Sequence, residues 1–177
     1  TGALAKAGSG TMILTAACSF SGVTTVSNGA LLVDGSLAGG VVARATLGGT
    51  GTVGGAVTGG GTVAPGHSAG ILHVGSYTPA AGGSLDLEIA GLSAGTGHDV
   101  LEVAGAANLA SGRLNVVTNG YAPASGDSFM VLTAASVSGP FASTNLPPLA
   151  AGLGWVVQYA PGAVILSVTG LSTATGY

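Results

Sequence analysis

Charge is nearly absent from this sequence. Among 177 residues there are three Lys and Arg and six Asp and Glu, so charged side chains make up 5%, against roughly 25% in an ordinary soluble domain. Three cations and a net charge of −3 cannot neutralise a phosphate backbone, which excludes nucleic-acid binding. Nor can they form the basic face of a membrane-surface helix. Aromatics are equally scarce at 5%, and one cysteine, Cys18, cannot close an internal disulfide. No apolar run approaches the ~18 residues of a spanning helix. The longest candidate, Leu146 to Val157, is broken by Pro147, Pro148, Gly152 and Gly154. The chain begins at Thr1 without a recognisable leader, the pattern of a processed or excised segment.

Glycine is abundant instead, with 34 residues, and the hydrophobic fraction is 47%, carried mostly by Ala, Val and Leu. A mean hydropathy of +0.66 excludes disorder of the charged, apolar-poor kind. The glycines follow no every-third-residue period, which excludes collagen. Gly or Pro interrupts almost every ten-residue window, so helices have no signal. Short runs of Val, Leu, Ile and Thr bounded by Gly, Ser, Asn or Asp predict strands throughout.

The strands repeat. A Gly-x-Leu-x-Val beat recurs at Gly29–Val33, Gly70–Val74 and Gly112–Val116, with a relative at Gly83–Leu87 and shorter beats at Leu37, Val53, Val57 and Val63. Period-2 geometry sends the Leu and Val of each beat to one face and the residue between them to the other. The intervening residues include His73, Asp86, Glu102 and Asn115, all at home in water, so the Leu and Val positions point inward. Glycine at the start of each beat permits a sharp corner. Inward-facing strands joined by such corners describe an all-β coil, a parallel β-helix or β-solenoid, with strands stacked ~4.8 Å apart. At ~20 residues or more per turn, the chain makes about seven or eight rungs and a rod of about 35 Å. Its core is expected to be slim and triangular, without room for aromatics. The competing fold is an antiparallel β-sandwich, for which Asn28-Gly29, Asp34-Gly35 and Asn119-Gly120 would serve as hairpin turns.

From about Tyr121 the texture changes. Phe129, Phe141, Trp155 and Tyr159 concentrate there, with Pro140, Pro147, Pro148 and Pro161. We read 1–120 as solenoid rungs, 121–170 as an aromatic-richer C-terminal β cap of the same domain, and 171–177 as a tail or linker. Ser128–Thr133, Trp155–Tyr159 and Ala163–Thr169 are the strands expected in the cap. Ala160-Pro161-Gly162 is expected to turn between the last two as a hairpin.

Several stretches, in order, resemble the passenger-associated repeat region of bacterial autotransporters. Ser21-Gly22-Val23-Thr24-Thr25-Val26 followed by Gly29–Val33 resembles the opening of one repeat. Leu47–Gly55 followed by Val63-Ala64-Pro65-Gly66-His67-Ser68-Ala69-Gly70 is the most specific part. Asp99–Val103 and Gly126–Thr133 also fit, so the resemblance runs over about residues 6 to 169. His67 stands where that family usually carries Asn, and Cys18 where a small polar residue is commoner. The resemblance implies a right-handed β-helix exported to the outside of the cell, extracellular or associated with the outer membrane, and allows an outer-membrane barrel in the precursor. In that family the region is commonly a stalk or scaffold.

Motifs that look like chemistry have plainer readings. Gly66-His67-Ser68-Ala69-Gly70 matches the Gly-x-Ser-x-Gly nucleophile elbow, with Asp86 and His98 following in order. That elbow needs a helix after its Ser, whereas Ile71–Val74 reads as a strand. Gly49-Thr50-Gly51-Thr52-Val53-Gly54 fits the dinucleotide fingerprint, but the Gly-rich stretch after it cannot be the required helix. Asp86 and Glu88 share a strand face about 7 Å apart. They could serve a glycosidase or lyase, yet the chain supplies few partners for them, and a solvated outer face is the simpler reading. His67, His73 and His98 lack ligand spacing and read as exposed or corner residues. Cys18 reads as a small buried hydrophobe, and Trp155 and Tyr159 as cap packing rather than a sugar platform. The expectation is therefore a protein with no catalytic, cofactor or metal site and no small-molecule substrate.

Two roles fit that object. One is a structural surface module, a stalk or scaffold within a larger surface protein. The other is a homo-oligomer stacked end to end into an extracellular filament or sheath, because the end rung of a solenoid exposes unpaired backbone groups that Lys6 alone guards at the N-terminal end. A carbohydrate-binding adhesin segment is a further alternative.

Overall fold

A computed structural model of the chain describes residues 2–171; most of the expected 171–177 tail lies outside the described residues. Among these residues there is no helix. The first rung consists of β1 (Ala5–Lys6), β2 (Thr11–Leu14) and β3 (Ala17–Cys18). The second repeats it as β4 (Thr24–Val26), β5 (Ala30–Val33) and β6 (Ser36–Leu37). The third is β7 (Val41–Ala43), β8 (Thr46–Gly49) and the start of β9 (Thr52–Gly59), which bends into the fourth. There follow β10 (Thr62–Pro65), β11 (Ile71–Pro79), β12 (Ser84–Ile89), β13 (Val100–Asn108), β14 (Arg113–Thr118), β15 (Ser128–Ser138) and β16 (Ser143–Asn145). Strands β17 (Leu153–Ala160) and β18 (Ala163–Gly170) end the fold.

Every pairing from β1 to β16 is parallel, so the chain is a parallel β-helix. The first three rungs have three short limbs, as a triangular section requires. One sheet runs β2-β5-β8-β10-β12-β14-β16, seven strands for seven rungs. Its register stacks Met12, Leu31, Leu47, Val63, Leu85 and Leu114 in one inward column. On the other sheet Leu37, Val53, Val74 and Val103 form another. From the second rung onward these side chains are buried, and the residues between them (His73, Asp86, Glu102, Asn115) face outward. Each buried Leu or Val removes enough apolar surface from water to stabilise the fold by about 1.5–3 kcal/mol. The Asn-Gly and Asp-Gly pairs at 28–29 and 34–35 are corners between limbs, not hairpin turns.

The rungs are unequal, and the shortest falls below the ~20 residues or more expected per turn. Thr46 pairs with Thr62 after 16 residues, Thr62 with Ser84 after 22, and Ser84 with Arg113 after 29. As the rungs lengthen the core widens, and the expectation that aromatics would not fit is overturned. Tyr77 is fully buried within the rungs; Phe129, also fully buried, lies in the C-terminal cap where large rings were expected. Tyr77 stacks between Val57 and the small Ala107, which leaves its ring space. Its hydroxyl has no hydrogen-bond partner among the described residues. Burial, then the nearby Asp86 carboxylate, holds it protonated. Tyr77→Phe keeps the ring and removes an unsatisfied buried hydroxyl. It should therefore raise stability by about 1 kcal/mol, or about 2–4 °C in Tm, measured by thermal unfolding.

The C-terminal runs are strands as expected. Parallel stacking continues through β15, which pairs with β13. On its other edge β15 takes β18 antiparallel, and β17 pairs with β18 from Leu153↔Gly170 to Ala160↔Ala163 around Pro161-Gly162. The hairpin reverses the strand direction and ends the parallel repeat. Phe129, Trp155 and Tyr121 cluster beneath it, with ring centroids 6.0 and 6.1 Å from Phe129.

At the N-terminal end, Lys6 is not the exposed gatekeeper expected. It lies in the inward position beneath Val26 and is buried. Its Nζ donates to the carbonyls of Gly8 at 2.8 Å, Asn28 at 3.0 Å and Ala7 at 3.3 Å. The ammonium thus satisfies carbonyl oxygens at the stacked corners of the first two rungs while its stem covers the column, as long cationic side chains can.

Candidate functional site

A cluster of polar side chains lies on the outer face of the seven-stranded sheet, where the chain turns from β10 into β11. Outward positions in register run Ile13, Leu32, Gly48, Ala64, Asp86, Asn115 and Asn145. Small residues at Gly48 and Ala64 leave a trough between Leu32 and Asp86. The corner at 66–70 overhangs it, enclosing a groove of about 460 Å³.

Three carboxylates tie that corner down. His67 Nε2 donates to Asp34 Oδ1 at 2.7 Å, and Ser68 Oγ donates to Glu88 Oε2 at 3.2 Å. Asp99 accepts from the backbone N–H of Gly70 and of Glu88, both at 2.8 Å. These ties hold Ala69 at φ 77, a left-handed conformation uncommon for a residue with a Cβ. Asp86 in turn accepts from Asn115 Nδ2 at 2.8 Å.

Asp99 is buried, and burial pushes its carboxyl up from 3.8 to about 6, although the two N–H donors favour the charged form. The neighbouring Glu88 charge pushes the same way as burial. A group that binds its proton more tightly when folded makes the fold gain stability as pH falls through the folded value. Between pH 7.5 and 4 the gain from Asp99 is at most about 3 kcal/mol. Thermal midpoints should rise by several degrees on acidification, and Asp99→Asn should remove that rise. The same substitution should lower Tm at pH 5, because an amide oxygen cannot serve both N–H donors.

The residues singled out from sequence fall as follows. Ser68 and His67 share the corner, but each hydrogen-bonds to a different carboxylate, and Ser68 leads into strand β11. The nucleophile elbow therefore lacks both its base and its helix. Gly49–Gly54 spans the turn from β8 to β9, again without a helix. Asp86 and Glu88 share the outer face of β12, as expected. His73 meets Glu102 at 2.9 Å on the neighbouring sheet. His98 lies in the corner between β12 and β13 but is buried rather than exposed, edge-on to Phe129 at 5.5 Å, with Nδ1 3.3 Å from the Gly91 carbonyl. Cys18 is half-buried rather than buried. Trp155 Nε1 donates to the Pro147 carbonyl at 2.8 Å, and Phe141 N donates to the Tyr159 hydroxyl at 3.2 Å. Both rings are thereby anchored in the cap.

Asp34, Asp99 and Asn115 were not anticipated as members of this cluster. Among the described residues no three His, Cys, Asp or Glu side chains are grouped to hold a metal ion.

Residues 4–33 match the family model described as the passenger-associated-transport-repeat. The matched segment runs from Leu4, just before β1, to Val33 at the end of β5, and so covers the first rung and the first two strands of the second. No curated protein matches the chain.

Proposed function

We propose that this chain is a non-catalytic scaffold segment of a secreted bacterial surface protein, a β-helical stalk that holds other parts away from the cell. The repeat matched at residues 4–33 carries this reading, because repeats of that description belong to transported passengers. The fold supports it. Columns of stacked Leu and Val run from the second rung to the cap, and the backbone hydrogen bonds run along the rod axis. Such an object resists bending and carries load without a bound ligand. The outer face, which carries few charges away from the β10–β11 corner, fits contact with other parts of a larger surface protein, including an outer-membrane barrel in the precursor.

The test is surface exposure in the native host. Antibody against this chain should label intact cells, and external protease should remove the signal without lysis. A signal protected until the cells are broken would overturn the reading.

A further inference from the structure

Among the described residues the eleven-stranded sheet ends in an open strand edge, and we propose that β17 docks a second copy of this chain, edge to edge and antiparallel. Strand β17 is the last strand of the eleven-stranded sheet. It pairs with β18 on one side and, among the described residues, with nothing on the other. All eight of its residues pair with β18 without a bulge. The segment Leu153-Gly154-Trp155-Val156-Val157-Gln158-Tyr159-Ala160 contains no charge and no proline. Lysines, prolines and bulges are the usual devices that stop an edge from pairing, and none is present.

The occupant follows from matching the ends. The N-terminal rung offers strands of only two to four residues in three separate limbs, a poor template for a straight eight-residue edge. A second β17 is a full-length match. Across a two-fold axis normal to the sheet, each side chain must meet one on its own face, so the register centres on a residue rather than between two. Centred on Val156, the strand pairs Val156 with its own copy, Trp155 with the second copy's Val157, and Leu153 with the second copy's Tyr159. These are aromatic, β-branched and aliphatic cross-strand pairs, which favour sheet formation. Leu153, Trp155, Val157 and Tyr159 face the same side as the buried Val164, Leu166 and Val168 of β18, yet remain only partly covered. Tyr159 and Val156 are 37% and 38% exposed. The Trp155 and Tyr159 rings are already held by Pro147 and Phe141, so little side-chain freedom is lost on docking.

Such a contact is isologous and closes at two copies, unlike head-to-tail stacking into a filament. It stands independently of the scaffold reading. One paired strand is a small interface, so a Kd on the order of 1–100 µM is expected.

Sedimentation of the chain between about 5 and 200 µM should show its mass doubling and then stopping. Val156→Lys sets like charges against each other at the axis. It should stay monomeric throughout, with unchanged circular dichroism and thermal midpoint. In a Cys18→Ser background, Val156→Cys should oxidise to a covalent dimer, since directly opposed strand residues approach within disulfide reach. Gln158→Cys, which faces the second copy's Gly154, should oxidise at least tenfold more slowly. Should Val156→Lys fail to fold, the cysteine pair decides. A wild-type chain monomeric at the highest concentration would overturn the proposal. So would a dimer that survives Val156→Lys, mass growing without limit, or equal oxidation of the two cysteine variants.

Discussion

Replacing Leu72 by Asp should abolish the cooperative fold. Leu72 is fully buried in the column it shares with Leu101 and Leu132. A carboxylate there loses its hydration with no cation to compensate: the chain has three Lys and Arg, and Lys6 is engaged at the far end of the rod. An unpaired buried charge costs several kcal/mol, and losing the Leu contacts adds about 2–5 kcal/mol. Together these match the whole stability of a typical domain, about 5–15 kcal/mol. A control lies on the same strand. Thr78 faces outward and is exposed, so Thr78→Asp should cost only about 1 kcal/mol, the scale of strand propensity. Urea unfolding followed by circular dichroism separates the two. Cooperative unfolding of Leu72→Asp at the wild-type midpoint would mean that the inward face has been misassigned.

The alternation behind that prediction was readable before any coordinates. Gly-x-Leu-x-Val states which side chains share a face, and Leu31, Val33, Leu72, Val74, Leu114 and Val116 are all buried. Rung length was not readable in the same way. The residues that stretch the repeat from 16 to 29 lie in the corners at 66–70 and 90–99 and in longer strands. A corner has no fixed period, so it leaves no beat to count. The widening that admits Tyr77 follows from those extra residues and was hidden for the same reason.

The corner groove shows the same division. That Gly66–Gly70 is a corner, and that Asp86 and Glu88 share a face, are local facts fixed by glycine and by the two-residue strand period. Which side chains meet across rungs is not local. His67 reaches Asp34 across 33 residues, and Asp99 reaches Gly70 across 29. Those partnerships depend on the unequal rung lengths between them. Asp34 beside Gly35 looks like an ordinary turn residue, and Asp99 stands just before an ordinary strand; neither carries a separate mark of its tie to the corner. The Lys6 misreading has a similar origin. Its position in the strand alternation is inward, and only the carbonyls of Ala7, Gly8 and Asn28, at the stacked corners of the first two rungs, make that position tolerable for an ammonium.

Gly49→Ala should be among the most damaging single methyl groups in the N-terminal half. Gly49 closes β8 at φ 105, where a side chain is strained whatever space surrounds it. A Cβ built there would also lie 2.5 Å from the Val33 nitrogen and closer still to the Val33 carbonyl oxygen. Neither can yield cheaply, because that oxygen already accepts a hydrogen bond from Gly51 N at 2.7 Å in the next corner. Relief of the clash would move one rung against another and break the stacking of Val33 over the residues below it. The expected loss is on the order of 4 kcal/mol or more, combining dihedral strain of about 1–3 kcal/mol with overpacking of similar size. Gly120 separates the two contributions. It too has positive φ, at 75, but a Cβ there meets nothing within 4 Å, so Gly120→Ala should show the dihedral cost alone, about 1 kcal/mol. Thermal unfolding should therefore place Gly120→Ala a few degrees below the parent and Gly49→Ala more than about 8 °C below it. Equal losses at the two positions would show that the rungs are not in close backbone contact at Gly49, and that only its dihedral angle requires glycine.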